Sequence, residues 1–284
     1  MNLADASFGV CILPTDLTLP PTDLACEVES RGFDMLFFPE NSHVPIERSK
    51  KAYHHPELVE PLARMHDSIT ALAGCAAVTE RLLLGTGVCL LTERDPIVTA
   101  KSIASLDRVS QGRIIFGVAG GWIREAMENH GTPFKKRWQV VKERTLAMQT
   151  LWREEEAEFQ SEFVNFGPTW CYPKPLTPGG PPIYIGSNHK NVADRVADYA
   201  DGWIPLHGRY DGDPIDDLRV ACEKAERDHS EVDMVLFDVP KDIDVIEDHL
   251  NRGCTKFAFL VEPTNGEATL KALDEINDFL DLLS

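Results

Sequence analysis

The stretch "LLLGTGVCLLTERDPIVTAKSIASLDRVSQGRIIFGVAGGW", residues 82–122, contains two apolar runs separated by a longer amphipathic segment. Short runs rich in Val, Ile, Leu and Phe are typical of buried strands, and the segment between them has the length of a helix. A strand, a helix and a second strand in this order form the unit from which parallel sheets are built. The stretch therefore predicts an α/β fold.

The same alternation continues on both sides of this unit. The predicted strands are residues 8–13, 34–39, 82–90, 113–119, 182–186, 202–206, 233–237 and 256–261. The predicted helices are residues 21–31, 66–80, 95–109, 135–153, 189–200, 214–229, 241–251 and 266–283. Eight such units without a break in composition predict a single (β/α)8 TIM barrel domain over residues 1–284. They favour it over a doubly wound sheet with a second domain.

Two stretches fall outside the alternation. Residues 41–65 form a long polar loop after the second strand, and loops of this length in compact domains are commonly active-site lids. Residues 153–180 have the pattern of a hairpin followed by a Pro-rich approach to the fifth strand of the barrel. We therefore expect a lid and a hairpin insertion as additions to the barrel.

The charge and the cysteines limit the classes of partner. The chain has 28 Lys and Arg against 46 Asp and Glu, a formal charge of −18, which would repel a phosphate backbone and argues against nucleic acid. Its seven scattered cysteines form no C-x-x-C pair, which indicates a reducing compartment. The sequence has no basic, apolar leader and no apolar run of membrane-spanning length. We expect a cytoplasmic protein without a membrane partner.

A barrel places the carboxyl ends of all its strands at one mouth, where barrel enzymes carry out their chemistry. The residues expected there are Pro14, Thr15, Glu40, Asn41, His43, Cys89–Thr92, Gly120–Trp122, Gly186–Asn188, Leu206–Arg209, Asp238 and Glu262. None is a lysine, which argues against Schiff-base chemistry. No H-x-H pair follows a strand, so we expect no metal-dependent hydrolase and no metal site.

Glycines lie at the mouth after the fourth and the fifth strand, where they expose backbone N–H groups. Glycines such as Gly120, Gly121 and Gly186 let N–H groups approach an anion closely. The same glycines could serve only to form tight turns, with Trp122 covering the barrel. The residues alone leave both interpretations open, and the spacing does not match G-x-G-x-x-G, so a dinucleotide-binding sheet is poorly supported.

Three segments carry a resemblance to a known family. They are "SRGFDMLFFPENSHVP" at 30–45, residues 81–137 with "DPIVTAK", "LDRVSQGR" and "GVAGGWIRE", and "PPIYIGSNHKNVADRVADYADGWIP" at 181–205. Together they resemble the luciferase-like monooxygenase superfamily, and most of all its coenzyme F-420 (deazaflavin) dependent oxidoreductases. The resemblance runs from about Phe8 to Pro205. It implies a (β/α)8 barrel, a flavin or deazaflavin at the strand ends, a small organic substrate and a homodimer.

The resemblance also implies roles for individual residues. Gly186, Ser187 and Asn188 match a second phosphate-binding turn, and Gly87 and Val88 match a non-prolyl cis peptide behind the ring system. The cofactor's ribityl and phosphate part is matched by the segment Ala119, Gly120, Gly121 and Trp122. Plain strand packing is the alternative interpretation for Gly87. A pair of Arg137 and Glu125 is expected beneath the cofactor tail.

The chain departs from the family's sugar-phosphate dehydrogenases at two positions. Those enzymes have a histidine after the acidic residue that follows the second strand, and a glutamate in place of Trp122. Here Asn41 follows Glu40, and an amide cannot transfer a proton at neutral pH, which argues against glucose 6-phosphate as the substrate. Glu40 becomes the main catalytic candidate, with a pKa raised by burial. His43 and His207 are alternatives for proton transfer.

The sequence therefore favours an F-420-dependent oxidoreductase that transfers a hydride to or from a small organic substrate. An FMN-dependent luciferase-like monooxygenase is the alternative among enzymes. A non-catalytic flavin- or deazaflavin-binding protein is the alternative from another class, because Asn41 replaces the usual histidine. The long polar lid favours an enzyme, since hydride transfer benefits from the exclusion of water.

Overall fold

Eight parallel strands close into a barrel in this computed structural model, which describes residues 5–47 and 59–283. The barrel strands are β1 (Ser7–Ile12), β2 (Met35–Phe38), β3 (Leu83–Leu90), β4 (Ile114–Ala119), β7 (Ile183–Gly186), β8 (Gly202–Ile204), β9 (Asp233–Phe237) and β10 (Lys256–Val261). Their order around the barrel is β1, β10, β9, β8, β7, β4, β3 and β2, and β2 pairs with β1 to close it. The predicted TIM barrel is confirmed.

Helices follow the strands and cover the outside of the barrel. They are α1 (Pro21–Ser30), α2 (Val59–Ala63), α3 (Ser68–Val78), α4 (Pro96–Val109), α5 (Arg124–Asn129), α6 (Arg137–Arg153), α7 (Val192–Tyr199), α8 (Pro214–Lys224), α9 (Ile243–Asn251) and α10 (Gly266–Asp281). Three short 3-10 helices span Leu91–Glu93, Phe134–Lys136 and His229–Glu231. Within the described ranges, no helix combines the length and the apolar character that a bilayer crossing requires.

The predicted hairpin insertion is present, and a loop follows β2; its role as a lid stays a prediction. Strands β5 (Ala157–Gln160) and β6 (Asn165–Thr169) form an antiparallel hairpin ahead of β7, the fifth strand of the barrel. The loop after β2 leads to the short helix α2, which the sequence did not predict. Residues 48–58 of that loop, with His54 and His55, lie outside the described residues.

Most helix boundaries agree with the sequence, and the exceptions have local causes. Helix α4 begins where predicted, because the Asp95 carboxylate accepts a hydrogen bond from the Val98 amide and Pro96 fits the first turn. The helix predicted over 214–229 ends at Lys224. Beyond it Glu226 takes a φ of 54°, and the Arg227 amide donates back to the Cys222 carbonyl. The helix predicted from residue 135 begins at Arg137, after a separate helix α5.

The barrel interior is filled by side chains, so the functional site lies at its mouth. The interior cluster consists of Cys11, Met35, Phe37, Ile115, Tyr184, Ile204, Val235, Phe237 and Ala258. The Phe37 and Phe237 rings meet edge to face with centroids 4.9 Å apart. Val88 and Leu206 pack against this cluster and remain partly exposed. They therefore form an apolar floor at the mouth.

Candidate active site

The loops that follow β2, β3, β4 and β7 lie side by side, because these four strands are consecutive around the barrel. Leu90 at the end of β3 is level with Ala119 at the end of β4, and Val118 is level with Ile185 of β7. The register therefore brings the segment from Ala119 to Trp122 between the loop that carries Glu40 and the turn that carries Ser187.

The peptide bond between Gly87 and Val88 is cis, as the resemblance implied, and β3 changes register here. A Cβ at Gly186 would lie 2.4 Å from Val88 Cγ1, so the bare backbone of Gly186 makes room for the Val88 side chain. A Cβ at Gly87 would lie 2.8 Å from Phe237 Cε2. Strand packing thus requires both glycines, and it leaves Val88 at the surface of the floor.

The two glycines after β4 have different surroundings: Gly121 forms a turn, and Gly120 lies against the side chain of Arg137. Gly121 has a φ of 66°, the left-handed conformation that glycine adopts without strain. A Cβ at Gly120 would lie 3.3 Å from Cγ of Arg137. Trp122 is 47% exposed at the mouth. The turn interpretation therefore holds for Gly121, and it is compatible with an anion beside Gly120.

Five basic side chains that act electrostatically on one another follow this turn and the turn after β7, in a chain whose net charge is −18. They are Arg124, Arg137, His189, Lys190 and Arg195, which we call the cationic cluster. Burial lowers the pKa of Arg137 and the charge of Arg124 lowers it further. Burial also lowers the pKa of Arg195, with Arg137 among the charges that act on it. Like charges held this close destabilise one another unless an anion joins them.

Arg195 has an unused donor. Its Nη1 atom is buried and finds no hydrogen-bond partner within residues 5–47 and 59–283, while the guanidinium carbon lies 4.3 Å from the Trp138 ring centroid. A buried donor without a partner costs about 1–3 kcal/mol. The residues present fit an anionic group such as a phosphate. The predicted pairing of Arg137 with Glu125 stays a prediction.

The turn after β7 is held in place by β8 and its loop. The Ser187 carbonyl accepts a hydrogen bond of 2.9 Å from Trp203 Nε1, and Asn188 Oδ1 accepts one of 3.0 Å from the Leu206 amide. Helix α7 begins just beyond, and no side chain caps its amino end. Helix amino ends carry partial positive charge, so this end adds to the attraction for an anion.

Glu40 lies buried two residues beyond the end of β2. Its Oε1 accepts a 2.5 Å hydrogen bond from Arg94 Nε, and its Oε2 accepts one of 3.2 Å from the Leu90 amide. Burial raises the pKa of Glu40, while Arg94 and the Cys89 thiol oppose the rise. The expected direction of the shift is therefore confirmed. Arg94 also pairs with Asp67, so one guanidinium joins two carboxylates.

A cavity of about 250 Å³ opens beside this ion pair. It is lined by Glu40, Asn41, Ser42, Met65, Asp67, Glu93 and Arg94. Asn41 Nδ2 donates to the His43 carbonyl at 2.9 Å and to the Leu62 carbonyl at 3.5 Å, which ties the loop to α2. Asn41 thus holds the cavity wall. The size of the cavity suits a small organic molecule, and two buried carboxyl groups, Glu40 and Glu93, lie in its wall.

The structure brings Glu40, Asn41 and His43 together and separates His207 from them. His207 follows β8, which is four strands from β2 in either direction around the barrel. Its ring packs edge to face on His249 with centroids 5.7 Å apart. Burial lowers the pKa of His207, and His249 lowers it further against the opposing charge of Asp238. His43 is closer to the Glu40 cavity, beside Ser42.

The sequence did not predict the side chains that contact or act on these residues. Arg94 and Asp67 hold Glu40, while Arg195 and His189 complete the cationic cluster. A signal for the cluster was present: basic residues follow both glycine-containing turns, in a chain with a large acidic excess. The residues lie up to 71 positions apart, from Arg124 to Arg195, so their meeting depends on the barrel closing.

Comparison with known proteins identifies relatives of this barrel. The family model for luciferase-like monooxygenases matches residues 21–240. An uncharacterised protein of Mycobacterium tuberculosis is 36% identical over 228 residues, which cover 78% of this chain and 80% of the relative. An F-420-dependent glucose-6-phosphate dehydrogenase of Nakamurella multipartita is 30% identical over 221 residues, or 75% of this chain and 61% of that enzyme.

A solved structure shares the whole architecture. An F-420-dependent secondary alcohol dehydrogenase, in complex with an F-420-acetone adduct, superposes with a TM-score of 0.77. The match covers 100% of both chains at 14% sequence identity. At this identity the likeness concerns the fold alone.

Proposed function

The chain belongs to the luciferase-like monooxygenase family, and on that premise we propose that it is a coenzyme F-420-dependent oxidoreductase. The reaction is the transfer of a hydride between the deazaflavin and a small organic substrate. The observation that carries the proposal is the cationic cluster beside Gly120, with its unpartnered Arg195 donor. A buried guanidinium nitrogen without a hydrogen-bond partner is costly in the free protein, and an anionic cofactor tail would relieve that cost.

The extent of the cationic cluster favours F-420 over FMN. FMN ends in one phosphate, whereas the tail of F-420 continues beyond its phosphate into carboxylates. Arg124, Arg137, Lys190 and Arg195 are four permanent charges, which is more than a single phosphate needs. The relative from Nakamurella multipartita is named as F-420-dependent, which supports the same choice.

The residues divide into a ring side and a tail side. Val88 and Leu206 would form an apolar surface beneath the cofactor ring, and Gly120, Ser187 and the cationic cluster would hold the tail. When bound, the deazaflavin supplies the hydride chemistry at its C5 atom. The protein then has to orient the substrate and to hold or accept one proton.

Glu40 is the group we assign to that proton. It is buried, its pKa is raised by burial, and it lines the cavity of about 250 Å³. The Asn41 amide donates hydrogen bonds to the carbonyls of His43 and Leu62 and holds the loop in place, so we assign it no part in proton transfer. Because the family's usual histidine is missing here, we propose a substrate other than a sugar phosphate.

We extend the proposal to the state of the protein in the cell. The resemblance supports a homodimer of single-domain chains, with the barrel as the catalytic domain. The acidic surface argues against a nucleic-acid partner. The scattered cysteines, none of which is paired within the described residues, support a cytoplasmic location.

Cofactor titration tests the choice between the two enzyme classes. Adding F-420 or FMN to the apo-protein and following fluorescence should show at least tenfold tighter binding of F-420, because the cationic cluster meets more anionic groups on its tail. Reduction or oxidation of bound F-420 by a panel of alcohols and aldehydes then separates an enzyme from a non-catalytic binder. Tenfold tighter binding of FMN would point to a monooxygenase instead.

The affinity for F-420 should also increase as the pH falls. Burial and the charges of Arg195, Arg137 and Lys190 lower the pKa of His189 below its ordinary value of 6.5 in the free protein. An anionic tail would raise that pKa again, so binding takes up a proton. Affinity then rises as the pH is lowered through the region between the two values of the His189 pKa.

His189→Gln is the matched variant for this measurement, because glutamine keeps a polar side chain and does not titrate. Titration of the cofactor itself affects both proteins equally, so the difference between them isolates His189. Parallel affinity curves for the two proteins from pH 8 to pH 5 would show that His189 stands apart from the bound tail.

A further inference from the structure

The hydroxyl of Ser42 lies where three metal-ligating side chains converge. Its Oγ is 2.5 Å from Glu93 Oε2, 2.8 Å from His43 Nδ1 and 3.2 Å from His130 Nε2. The three side chains come from separate elements: the loop after β2, the end of the 3-10 helix Leu91–Glu93, and the residue that follows α5. Two imidazoles and one carboxylate around a single point form a recurring ligand set for divalent transition metals.

The spacing is close to what a metal requires. One ligand atom from each of His43, Glu93 and His130 lies within 4.8 Å of the other two. Ligand atoms of a tetrahedral zinc ion are about 3.4 Å apart, given bonds of about 2.0–2.1 Å. The set therefore has to contract by about 1.4 Å at most. His130 is exposed and follows the last residue of a helix, so it can make this adjustment.

His43 has a neighbour that can orient its ring for a metal. Its Nε2 lies 2.9 Å from the side-chain amide nitrogen of Asn129. Rotation of that amide by half a turn places the carbonyl oxygen at the same position, where it accepts the Nε2 hydrogen. The Nδ1 lone pair then faces the Ser42 hydroxyl, and a cation that replaces this hydroxyl can bind it. Metal-binding histidines commonly donate their other N–H in this way.

We propose that His43, Glu93 and His130 form a binding site for a divalent transition metal of the zinc class, and that the ion takes the position of the Ser42 hydroxyl, whose exposed side chain rotates aside. The absence of an H-x-H pair after a strand predicted no metal site, but these ligands come from three elements that only the fold brings together. Glu93 is buried while His130 is exposed, so the site is open on one side. Ser42 and Glu93 also line the Glu40 cavity, so the ion would lie next to the substrate. The site is independent of the proposed cofactor.

Zinc binding to the full chain, purified without a histidine tag, tests the site. Calorimetric titration with zinc chloride should show one equivalent bound in the wild type, and His130→Ala should weaken that binding about 100-fold or more. His229→Ala, at another exposed histidine, is the matched control and should bind zinc as the wild type does. Since His130 is exposed, its replacement should leave the melting temperature unchanged.

A second variant and an absorption spectrum test whether the loss of zinc binding comes from the loss of a metal ligand. His43→Ala should abolish the same equivalent, and Co²⁺ should give the strong visible absorption of a tetrahedral site in the wild type and lose it in both variants. The proposal is overturned if the wild type binds no zinc, or if His130→Ala and His43→Ala bind zinc as tightly as the wild type does.

Discussion

Replacing Arg195 by methionine is expected to weaken F-420 binding by about tenfold to a hundredfold without lowering the melting temperature. A charge-assisted hydrogen bond contributes about 1.5–3 kcal/mol, and Arg195 Nη1 is a buried donor that is free to make one. In the free protein the same donor lies near Arg137 and lacks a partner. Its removal should therefore leave stability unchanged or raise it, measured by thermal unfolding of the apo-protein.

Methionine is chosen because it keeps an extended apolar chain against the Trp138 ring, where the guanidinium now packs. Arg219→Met is the control, since Arg219 pairs with Asp216 on the exposed face of α8. The control should bind F-420 normally. Normal affinity in a folded Arg195→Met protein would contradict the assignment of the cationic cluster to the cofactor tail.

The glycines beside the cationic cluster cannot test the same point as well. Gly121 has a φ of 66°, so any larger residue there strains the backbone whether or not a ligand binds. A Cβ at this position would also meet Met127 Cε at 3.2 Å. A loss of affinity in Gly121→Val would therefore combine strain with a lost contact, whereas Arg195→Met separates the two by leaving the backbone alone.

The barrel could be predicted because its signal is local and repeated. Each strand is a short apolar run, each helix is longer and amphipathic, and the alternation recurs eight times. The misplaced boundaries arise where a single residue decides, as at Glu226, whose positive φ ends the helix predicted over 214–229. Glycine, and to a lesser degree asparagine and aspartate, indicates such a conformation in a sequence, and a glutamate does not.

The sequence predicts the site residues that directly follow a strand. Glu40, Asn41 and His43 follow one strand, and their position at the mouth follows from the barrel alone. Their chemistry depends on contacts between loops: Arg94 follows β3, and Asp67 precedes α3. His207 satisfies the same rule as His43, yet it lies on the other side of the barrel. The strands follow one another around the mouth in chain order, so the predicted barrel already places the second and the sixth strand opposite each other.

Glu40→Gln is expected to lower turnover by about 100-fold or more while F-420 affinity stays within a few-fold of the wild type. The glutamine amide has the shape of the carboxylate and can still accept a hydrogen bond from the Leu90 amide, but it cannot take up a proton. Arg94 keeps a partner in Asp67, so its charge is not left alone. The measurement is single-turnover reduction of F-420 with an alcohol that the wild type oxidises.

Two comparisons distinguish a proton-transfer role from a merely structural one. If Glu40 acts only by positioning Arg94, Asp67→Asn should impair turnover to a similar degree, because it removes the other carboxylate that Arg94 contacts.

If Glu40 accepts the proton of the alcohol, its carboxylate form is the active one. Burial raises its pKa, so the rate in the wild type should fall as the pH drops through a value above the ordinary 4.5 of a glutamate. Glu40→Gln should then show a low rate that no longer changes over that range. A pH-dependent loss of rate that persists in Glu40→Gln would contradict the assignment of the proton to Glu40.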